Sequence, residues 1–192
     1  MILRDSLSDP IRVAFVPEEA GDRPGRLGLT FAPGKRAAAQ LMGGTWARDL
    51  DLDLQRLIEV YGVDRLVSLL EVDEYDRLGI GNLRDRAVEL GMKLLHLPIP
   101  DGSIPPDLVA FDRAIGQVLA ALAAVETVVV HCRGGLGRAG TITAASLIAL
   151  GQPVDRAMEL VRSVRPGAIE NASQEQFLTT LPDRWAAGPP QP

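Results

Sequence analysis

The stretch VVVHCRGGLGRAGTITAASLIALG, from Val128 to Gly151, contains an apolar run, a glycine-rich turn and a second apolar segment in direct succession. The run that ends at Cys132 is short and rich in valine, which predicts a buried strand. The segment TITAASLIAL is apolar on nearly all sides and predicts a buried helix. The only cysteine of the 192-residue chain lies between these two elements. The turn is therefore the first place to look for chemistry.

Apolar runs elsewhere in the chain predict the strands that pair with this one. Helix-length segments with apolar residues on one face separate them, for example LDLDLQRLIEVYG at 50–62. We therefore expect an α/β fold, a single domain with a central, mostly parallel sheet of four to five strands flanked by helices. The predicted strands are RLGLTFA (26–32), VDRLVSLL (63–70), MKLLHLPI (92–99) and ETVVVHC (126–132), with IRVAFV (11–16) as a further edge strand.

The composition is that of a globular protein, with 46% hydrophobic and 23% charged residues. The net charge of −5 argues against a broad basic face that binds nucleic acid. The sequence shows no apolar stretch of about 20 residues and no apolar leader, so we expect no membrane span. A single cysteine cannot form an internal disulfide, which is consistent with a reducing compartment. We expect a cytoplasmic protein without nucleic-acid or membrane partners, and the oligomeric state stays open.

The glycines of the turn also satisfy the dinucleotide-binding pattern G-x-G-x-x-G, at Gly135, Gly137 and Gly140. That pattern requires a second strand after the helix, with an acidic residue that holds the ribose. The segment at 154–164 has helical character instead, which disfavours a dinucleotide site. A phosphate loop of the nucleotide hydrolases needs a lysine before the last threonine, and this stretch has no lysine.

Metal ligation is a further possibility that the sequence disfavours. No group of histidine, cysteine and acidic residues has the spacing of metal ligands, and His96 and His131 are far apart in sequence. We expect His96, inside a predicted strand, to be a structural residue. The sequence therefore predicts a site with no metal and no cofactor.

A third interpretation uses the cysteine as well as the glycines. A glycine-rich turn that leads into a helix can point successive backbone N–H groups at one centre, which binds a tetrahedral dianion and stabilises a thiolate. Arg138, six residues after Cys132, can hold two phosphate oxygens with its planar guanidinium. The predicted phosphate-binding residues are Arg133, Gly134, Gly135, Leu136, Gly137 and Arg138.

The joint pattern H-C-x-x-G-x-x-R-x-G-[ST] is too specific for a structural cysteine that merely precedes a turn. HCRGGLGRAGT resembles the signature loop of the cysteine-dependent protein tyrosine and dual-specificity phosphatases. Four further stretches extend the resemblance over roughly Leu27 to Leu178, toward a subgroup similar to the cyclin-dependent kinase-associated phosphatase. They are LGLTFAPGK, VDRLVSLLE, LPIPDGSIPP and RPGAIENASQEQFL.

The resemblance implies roles for individual residues of this chain. It implies that Cys132 is the nucleophile, that Arg138 binds the phosphoryl group, and that Asp101, in PIPDG, is the general acid. A plain turn is the alternative for Asp101, because Asp-Gly is an ordinary turn dipeptide. The resemblance also implies that Thr141 stabilises the thiolate and that His131 braces the loop. It implies that Gln174 helps to place the hydrolytic water.

The function that the resemblance implies is hydrolysis of phosphotyrosine in a protein or peptide through a phosphocysteine, with phosphoserine and phosphothreonine left open. The alternatives are a phosphatase of a phosphoinositide or nucleotide, a phosphate-binding module without turnover, and a sulfurtransferase. Lipid-directed relatives tend to carry lysines in the loop, whereas here Arg133 is the extra charge. Residues 26–182 are expected to form the catalytic domain, with an N-terminal extension at 1–25 and a flexible tail at 183–192.

Overall fold

The computed structural model describes residues 3–18, 24–38 and 45–192. The strands are β1 (Leu3–Arg4), β2 (Ala14–Phe15), β3 (Arg26–Phe31), β4 (Arg36–Ala38), β5 (Thr45–Ala47), β6 (Arg65–Ser68), β7 (Lys93–His96) and β8 (Thr127–Cys132). The helices are α1 (Leu50–Glu59), α2 (Val72–Arg77), α3 (Leu83–Glu89), α4 (Leu108–Ala123), α5 (Gly137–Ala149), α6 (Val154–Val164), α7 (Ala172–Thr179) and α8 (Leu181–Arg184). None of these helices is long and apolar enough to cross a membrane.

Five of the strands form one sheet, in the spatial order β2, β3, β8, β6, β7. The pairings of β3 with β8, of β8 with β6 and of β6 with β7 are parallel, whereas the edge strand β2 runs antiparallel to β3. The predicted α/β fold, with a mostly parallel sheet of four to five strands flanked by helices, is confirmed. The carboxyl ends of the parallel strands share one edge of the sheet, where ligand sites of such folds are built.

The strand β8 is buried over its full length because side chains pack on both faces of the sheet. Val128 and Val130 belong to one hydrophobic cluster, which includes residues of α4 and α5. Val129 belongs to a second cluster, which includes residues of α1 and α3. Successive side chains of a strand point to opposite faces, so a strand between two helix layers requires an unbroken apolar run.

Helix α5 begins directly after the turn that follows β8 and lies within the core. Its residues from Gly137 to Ile148 are all buried, as the apolar sequence predicts. Gly140 lets the segment before α7 pass close to the helix, since a Cβ there would lie 2.9 Å from the side chain of Ala168. The turn between β8 and α5 is therefore anchored at both ends by buried elements.

Several parts of the fold differ from the sequence prediction. A separate three-stranded sheet, in the order β1, β5, β4, was not predicted, because strands of two or three residues show no hydrophobic period. Helix α2 was also not predicted. The predicted strands at 63–70 and 92–99 end earlier, at Ser68 and His96. The residues after each one keep single backbone hydrogen bonds, such as Leu69 N–H to His131, while the chain leaves the ladder at the carboxyl edge.

Residues near both ends of the chain contact the α/β domain. Strand β2 pairs with β3, which adds part of the N-terminal segment to the main sheet. Near the other end, Trp185 stacks on Phe111 with ring centroids 5.8 Å apart, and its indole N–H donates to Asp112 at 3.0 Å. The division of the chain at residues 25 and 182 stays a prediction.

Candidate active site

Cys132 is the last residue of β8 and lies at the carboxyl edge of the sheet, in register with Phe31 of β3. Its side chain is buried, with 3% of its surface exposed. The backbone N–H of Gly135 donates to Sγ of Cys132 at 3.3 Å. Residues 132–138, named here the Cys132 loop, therefore turn back over the thiol and present an N–H group to it.

Glycine is required where the Cys132 loop turns most tightly. Gly135 has a φ of +68°, a conformation that favours glycine. A Cβ at this position would also lie 2.4 Å from the backbone carbonyl of Thr30 in β3. At the start of α5, a Cβ on Gly137 would lie 2.9 Å from Nε2 of Gln174. The loop can lie this close to Thr30 and Gln174 only because positions 135 and 137 carry no side chain.

Arg138 lies in the first turn of α5 and is 1% exposed. Its Nη1 and Nη2 donate to the two carboxylate oxygens of Glu74 at 2.5 and 2.9 Å. Nη1 also donates to the carbonyl of Ile99 at 2.9 Å, and Nη2 lies 2.8 Å from Oδ1 of Asp101. Its Nε has no hydrogen-bond partner among the described residues. Burial opposes the charge, but the hydrogen bonds to Glu74 and the charge of Cys132 raise the pKa of Arg138 above its ordinary value.

Glu74 is a residue of this site that the sequence reasoning missed. It lies in the short helix α2 and is 4% exposed. Its carboxylate also accepts the backbone N–H of Glu71 at 2.9 Å, so it caps the helix while it pairs with Arg138. Burial raises the pKa of Glu74, but Arg138 and this N–H outweigh burial and lower it. The sequence signal that could have identified Glu74 was a glutamate three residues after a helix start. That pattern indicates a helix cap rather than a residue of an active site.

Asp101 lies in the loop after β7, next to Gly102, whose φ of +71° confirms the turn. The Asp101 side chain is 59% exposed, and its Oδ1 lies 2.8 Å from Nη2 of Arg138. Its Oδ2 lies 3.9 Å from the guanidinium of Arg133. The fold therefore brings this carboxyl from a separate loop to the mouth of the Cys132 loop.

Thr141 and Gln174 lie against the same loop with other hydrogen-bond partners. The Thr141 hydroxyl donates to the carbonyl of Gly137 at 2.9 Å, one turn earlier in α5. A hydroxyl has one proton, so in this structure that proton is not directed at the thiol. Gln174 is buried, where its Oε1 accepts the N–H of Glu170 at 2.9 Å and its Nε2 donates to the carbonyl of Ser103 at 3.3 Å.

His131 lies in β8 directly before the thiol and is fully buried. Neither ring nitrogen has a hydrogen-bond partner among the residues that the structure describes. Burial lowers the pKa of His131 to about 3, with Arg138 adding to this shift and the backbone of Cys132 opposing it. The imidazole is therefore neutral near pH 7, and the contribution it can make to the loop is packing.

These residues form a site that can bind and react with a tetrahedral anion. The N–H groups of the Cys132 loop and the Nε of Arg138 can hold its oxygens. The thiol can attack the central atom, and the carboxyl of Asp101 can exchange a proton at the exposed side. In the described part of the chain, no group of three or more histidine, cysteine or acidic residues is arranged to hold a metal ion.

Comparison with known proteins gives consistent matches. The family model described as "Swiss Army Knife protein, DSP-PTPase phosphatase domain" (PTP-SAK) matches residues 39–178. Cyclin-dependent kinase inhibitor 3 of Mus musculus is 27% identical over 186 residues, which cover 95% of this chain and 84% of that protein. Protein tyrosine phosphatase type IVA 3 of Homo sapiens is 32% identical over 122 residues, which cover 63% of this chain and 65% of that protein.

Solved structures share the fold over most of its length. Kinase-associated phosphatase, with its catalytic-site cysteine replaced by serine, superposes with a TM-score of 0.81 at 24% identity. The match covers 92% of this chain and 97% of that one. The active form of Tk-PTP superposes with a TM-score of 0.67 at 26% identity, over 90% of this chain and 97% of that one.

Proposed function

Because the chain belongs to the DSP-PTPase family of cysteine-dependent phosphatases, we propose that it hydrolyses phosphate monoesters of protein side chains through a phosphocysteine at Cys132. The observation that carries the proposal is the 2.8 Å contact between Asp101 and Arg138, beside a thiol that already accepts an N–H. A nucleophile and an anion-binding arginine of the Cys132 loop meet a proton donor from a separate loop in one site.

Substrate binding begins with an exchange of anions on Arg138. A phosphoryl dianion can use Nε, which has no partner among the described residues, together with Nη2, which now faces Asp101. Glu74 keeps its hold on the other side of the guanidinium and fixes its plane. Once displaced from Arg138, the carboxyl of Asp101 is free to turn toward the leaving oxygen.

In the first chemical step, the thiolate of Cys132 attacks phosphorus and the bond from phosphorus to the ester oxygen breaks. The protonated carboxyl of Asp101 gives its proton to that oxygen as it leaves. The N–H groups of the Cys132 loop stabilise the charge on the remaining phosphoryl oxygens. The dephosphorylated side chain departs, and the phosphoryl group is held as phosphocysteine.

In the second step, water attacks phosphorus, and the carboxylate of Asp101 takes a proton from that water. The bond between sulfur and phosphorus breaks, which releases phosphate and restores the thiolate. Gln174 has a second N–H on Nε2, in addition to the one that it donates to Ser103. We infer that this N–H helps to place the attacking water.

A phosphorylated protein or peptide fits the site and the relatives best. The relatives include a protein tyrosine phosphatase, a cyclin-dependent kinase inhibitor and a kinase-associated phosphatase. Asp101 and Arg133 lie at the mouth with 59% and 37% of their side chains exposed, within reach of a side chain on another protein. A cytoplasmic location is also proposed, which the lone free thiol favours.

Phosphate release from p-nitrophenyl phosphate and from matched phosphotyrosine, phosphoserine and phosphothreonine peptides tests the proposal. The wild type should turn over the aryl phosphate and at least the phosphotyrosine peptide. Cys132→Ser should retain less than about 1% of this activity, because a serine hydroxyl is not ionised near neutral pH. Retained binding of a phosphopeptide by Cys132→Ser serves as the control for an intact fold.

Three results would contradict the proposal in different ways. Activity of Cys132→Ser above 1% of the wild type would remove the nucleophile role. Hydrolysis of phosphoinositides or nucleotides, with no hydrolysis of the peptides, would replace the substrate class. Binding of phosphopeptides by the wild type without any release of phosphate would indicate a binding module.

A further inference from the structure

Three successive carbonyl groups of the Cys132 loop accept hydrogen bonds from two cations. The Nζ of Lys35 donates to the carbonyl of Arg133 at 3.2 Å. Arg165 donates from Nη2 to the carbonyl of Gly134 at 3.0 Å and from Nε to that of Gly135 at 3.1 Å. Lys35 follows β3 and Arg165 follows α6, so two separate parts of the fold hold the same loop.

The planarity of the peptide bond turns these contacts into a constraint on the N–H groups. In a trans peptide the carbonyl of one residue and the N–H of the next point in opposite directions. Carbonyls held outward at positions 133, 134 and 135 therefore direct the N–H groups of residues 134, 135 and 136 inward. Gly135 shows the result, since its N–H donates to Sγ of Cys132 at 3.3 Å.

We propose that Lys35 and Arg165 are positioning residues for the phosphatase reaction. They hold the outward carbonyls of the Cys132 loop, so that its N–H groups converge on the thiolate and the phosphoryl oxygens, and their charges favour the thiolate of Cys132. The inference rests on the proposed function, because it concerns the same thiolate. Neither side chain donates a hydrogen bond to Sγ in the structure, so both act through the loop and through charge.

The ammonium of Lys35 is fixed inside the fold rather than free at the surface. The residue is 7% exposed, and its Nζ lies 4.0 Å from the ring centroid of Trp46 and 4.6 Å from that of Phe31. Aromatic faces at these distances stabilise a cation. Burial lowers the pKa of Lys35 to about 8, while the charge of Cys132 opposes the shift and three nearby arginines add to it. Because the interaction is mutual, the ammonium also favours the thiolate.

Arg165 has a geometry that a smaller cation cannot reproduce. Its guanidinium is half-buried, and two nitrogens on one edge of the planar group reach two neighbouring carbonyls. Burial lowers the pKa of Arg165 and the charge of Cys132 raises it again, while the group stays charged at any pH of interest. A lysine at this position would keep the charge but could hold only one of the two carbonyls.

Lys35→Met and Arg165→Met test the proposal, because both remove the charge and the donors but keep an unbranched stem. The pH dependence of Cys132 alkylation by iodoacetamide measures the thiolate pKa, and kcat and KM for p-nitrophenyl phosphate are measured in parallel. Each variant should raise the pKa of the Cys132 thiol by about one unit. At pH values below the thiol pKa, each should also lower kcat/KM by up to about tenfold, because less thiolate is present. Arg165→Lys should recover part of both losses.

The chain offers matched controls for both substitutions. Lys93, the other lysine, is 61% exposed and pairs with Glu126 at the opposite end of the parallel strands. Arg156 is 53% exposed and pairs with Glu159 in α6. Lys93→Met and Arg156→Met make the same chemical changes away from the site, so both should keep the thiolate pKa and kcat/KM of the wild type.

Folded Lys35→Met and Arg165→Met proteins with the thiolate pKa and kinetics of the wild type would overturn the proposal. If circular dichroism shows that Lys35→Met does not fold, the test rests on Arg165→Met and Arg165→Lys. Equal thiolate pKa values and kinetics in these two variants and the wild type would then overturn the proposal. The alkylation assay needs no turnover. A wild type without phosphatase activity would therefore refute the proposed function, whereas an active wild type with unchanged variants would refute only the positioning role.

Discussion

Two arginines of this molecule are buried in bidentate pairs with a carboxylate, and they differ in what surrounds the pair. Arg48 donates to Asp53 at 2.7 and 2.8 Å, and Arg138 donates to Glu74 at 2.5 and 2.9 Å. All four side chains are at most 5% exposed. Burial and donor–acceptor distances are therefore nearly equal, but Arg48 pairs through Nε and Nη2, whereas Arg138 pairs through Nη1 and Nη2. The difference in role comes from the nitrogens that each pair leaves for other contacts.

The pair of Arg48 is complete. Each of its three guanidinium nitrogens has a partner, and Nη1 donates to the carbonyl of Asp9 at 2.7 Å. The carboxylate of Asp53 also accepts the N–H of Gly34 at 2.8 Å, and the ring of Phe31 lies 4.9 Å from the guanidinium carbon. Such a pair ties segments of the chain together and offers little to a ligand.

The pair of Arg138 is incomplete. Its Nε has no partner among the described residues, and one contact of Nη2 is to Asp101, which is 59% exposed. A buried donor without a partner costs about 1–3 kcal/mol, so this arrangement disfavours the empty site. A buried ion pair is therefore not by itself the mark of a functional site. What distinguishes Arg138 from Arg48 is the unsatisfied Nε beside its ion pair.

The largest expected effect separates the two arginines by the same substitution. Arg138→Lys should lower kcat/KM for p-nitrophenyl phosphate by about 10³-fold, because a point charge cannot hold two phosphoryl oxygens in a fixed plane. Arg48→Lys should instead lower the free energy of unfolding by about 2 kcal/mol while kcat stays near the wild type. Steady-state kinetics and urea unfolding of both variants check this. An inactive but stable Arg48→Lys would break the comparison.

The exposed contact of Arg138 gives the next effect. Asp101→Asn should lower turnover by roughly 10²–10³-fold on esters with poor leaving groups, and less on those with good ones, because only the former need a proton donor. It should also tighten inhibition by vanadate, since a neutral amide competes less well for Nη2 of Arg138. An equal loss on aryl phosphates of low and high leaving-group pKa would exclude the acid role.

The two carboxylate partners should show the same division, with a smaller effect on activity. Glu74→Gln keeps the shape but weakens the hold on Arg138, and kcat/KM should fall by about tenfold as the guanidinium loses its fixed plane. Asp53→Asn should lower the free energy of unfolding by about 3 kcal/mol, because it leaves the Arg48 charge buried without its partner. Kinetics and urea unfolding again separate the outcomes. Equal activity losses would mean that both pairs support the site.

The last effect concerns stability alone and comes from His131, whose ring nitrogens are also unpartnered among the described residues. Its pKa is lowered to about 3 in the folded protein from 6.5, so between these values the unfolded chain binds the extra proton. Folding stability should therefore fall with falling pH, by about 2 kcal/mol from pH 6.5 to pH 5. Urea unfolding of wild type and His131→Phe at both pH values checks this. Parallel pH profiles would show that the histidine does not cause the loss.

The sequence predicted the elements of the fold that have a clear period or a strong motif. Local chemistry was enough to predict β8 from its valine run and the buried helix α5 from its apolar residues on all sides. It was also enough to predict a tight turn at the glycines of positions 135 and 137. The site residues Cys132, Arg138 and Asp101 came from a motif and a resemblance, and the structure brings them together. Their catalytic roles stay predictions until they are tested.

The parts that the sequence did not predict are long-range contacts of charged side chains. Glu74 was hidden in a helix cap, and Lys35 and Arg165 were ordinary members of the stretches LGLTFAPGK and RPGAIENASQEQFL. Nothing within those segments indicates a partner 64, 98 or 31 positions away. Such pairs depend on the register of the sheet and on where α2 and α6 end, which local patterns leave open.

The packing of Gly135 against Thr30 has a consequence for motion. Loops usually open at lower free energy than the strands that they connect. The Cys132 loop is backed by β3 at Gly135, and the carbonyl of Arg133 also accepts the N–H of Ala32 at 3.4 Å. The backbone of this loop should therefore open about as rarely as the central strands, even though its N–H groups face the site. The movement that the proposed reaction requires then falls to the exposed turn at Asp101, whose carboxyl must leave Arg138 before it can protonate the leaving oxygen.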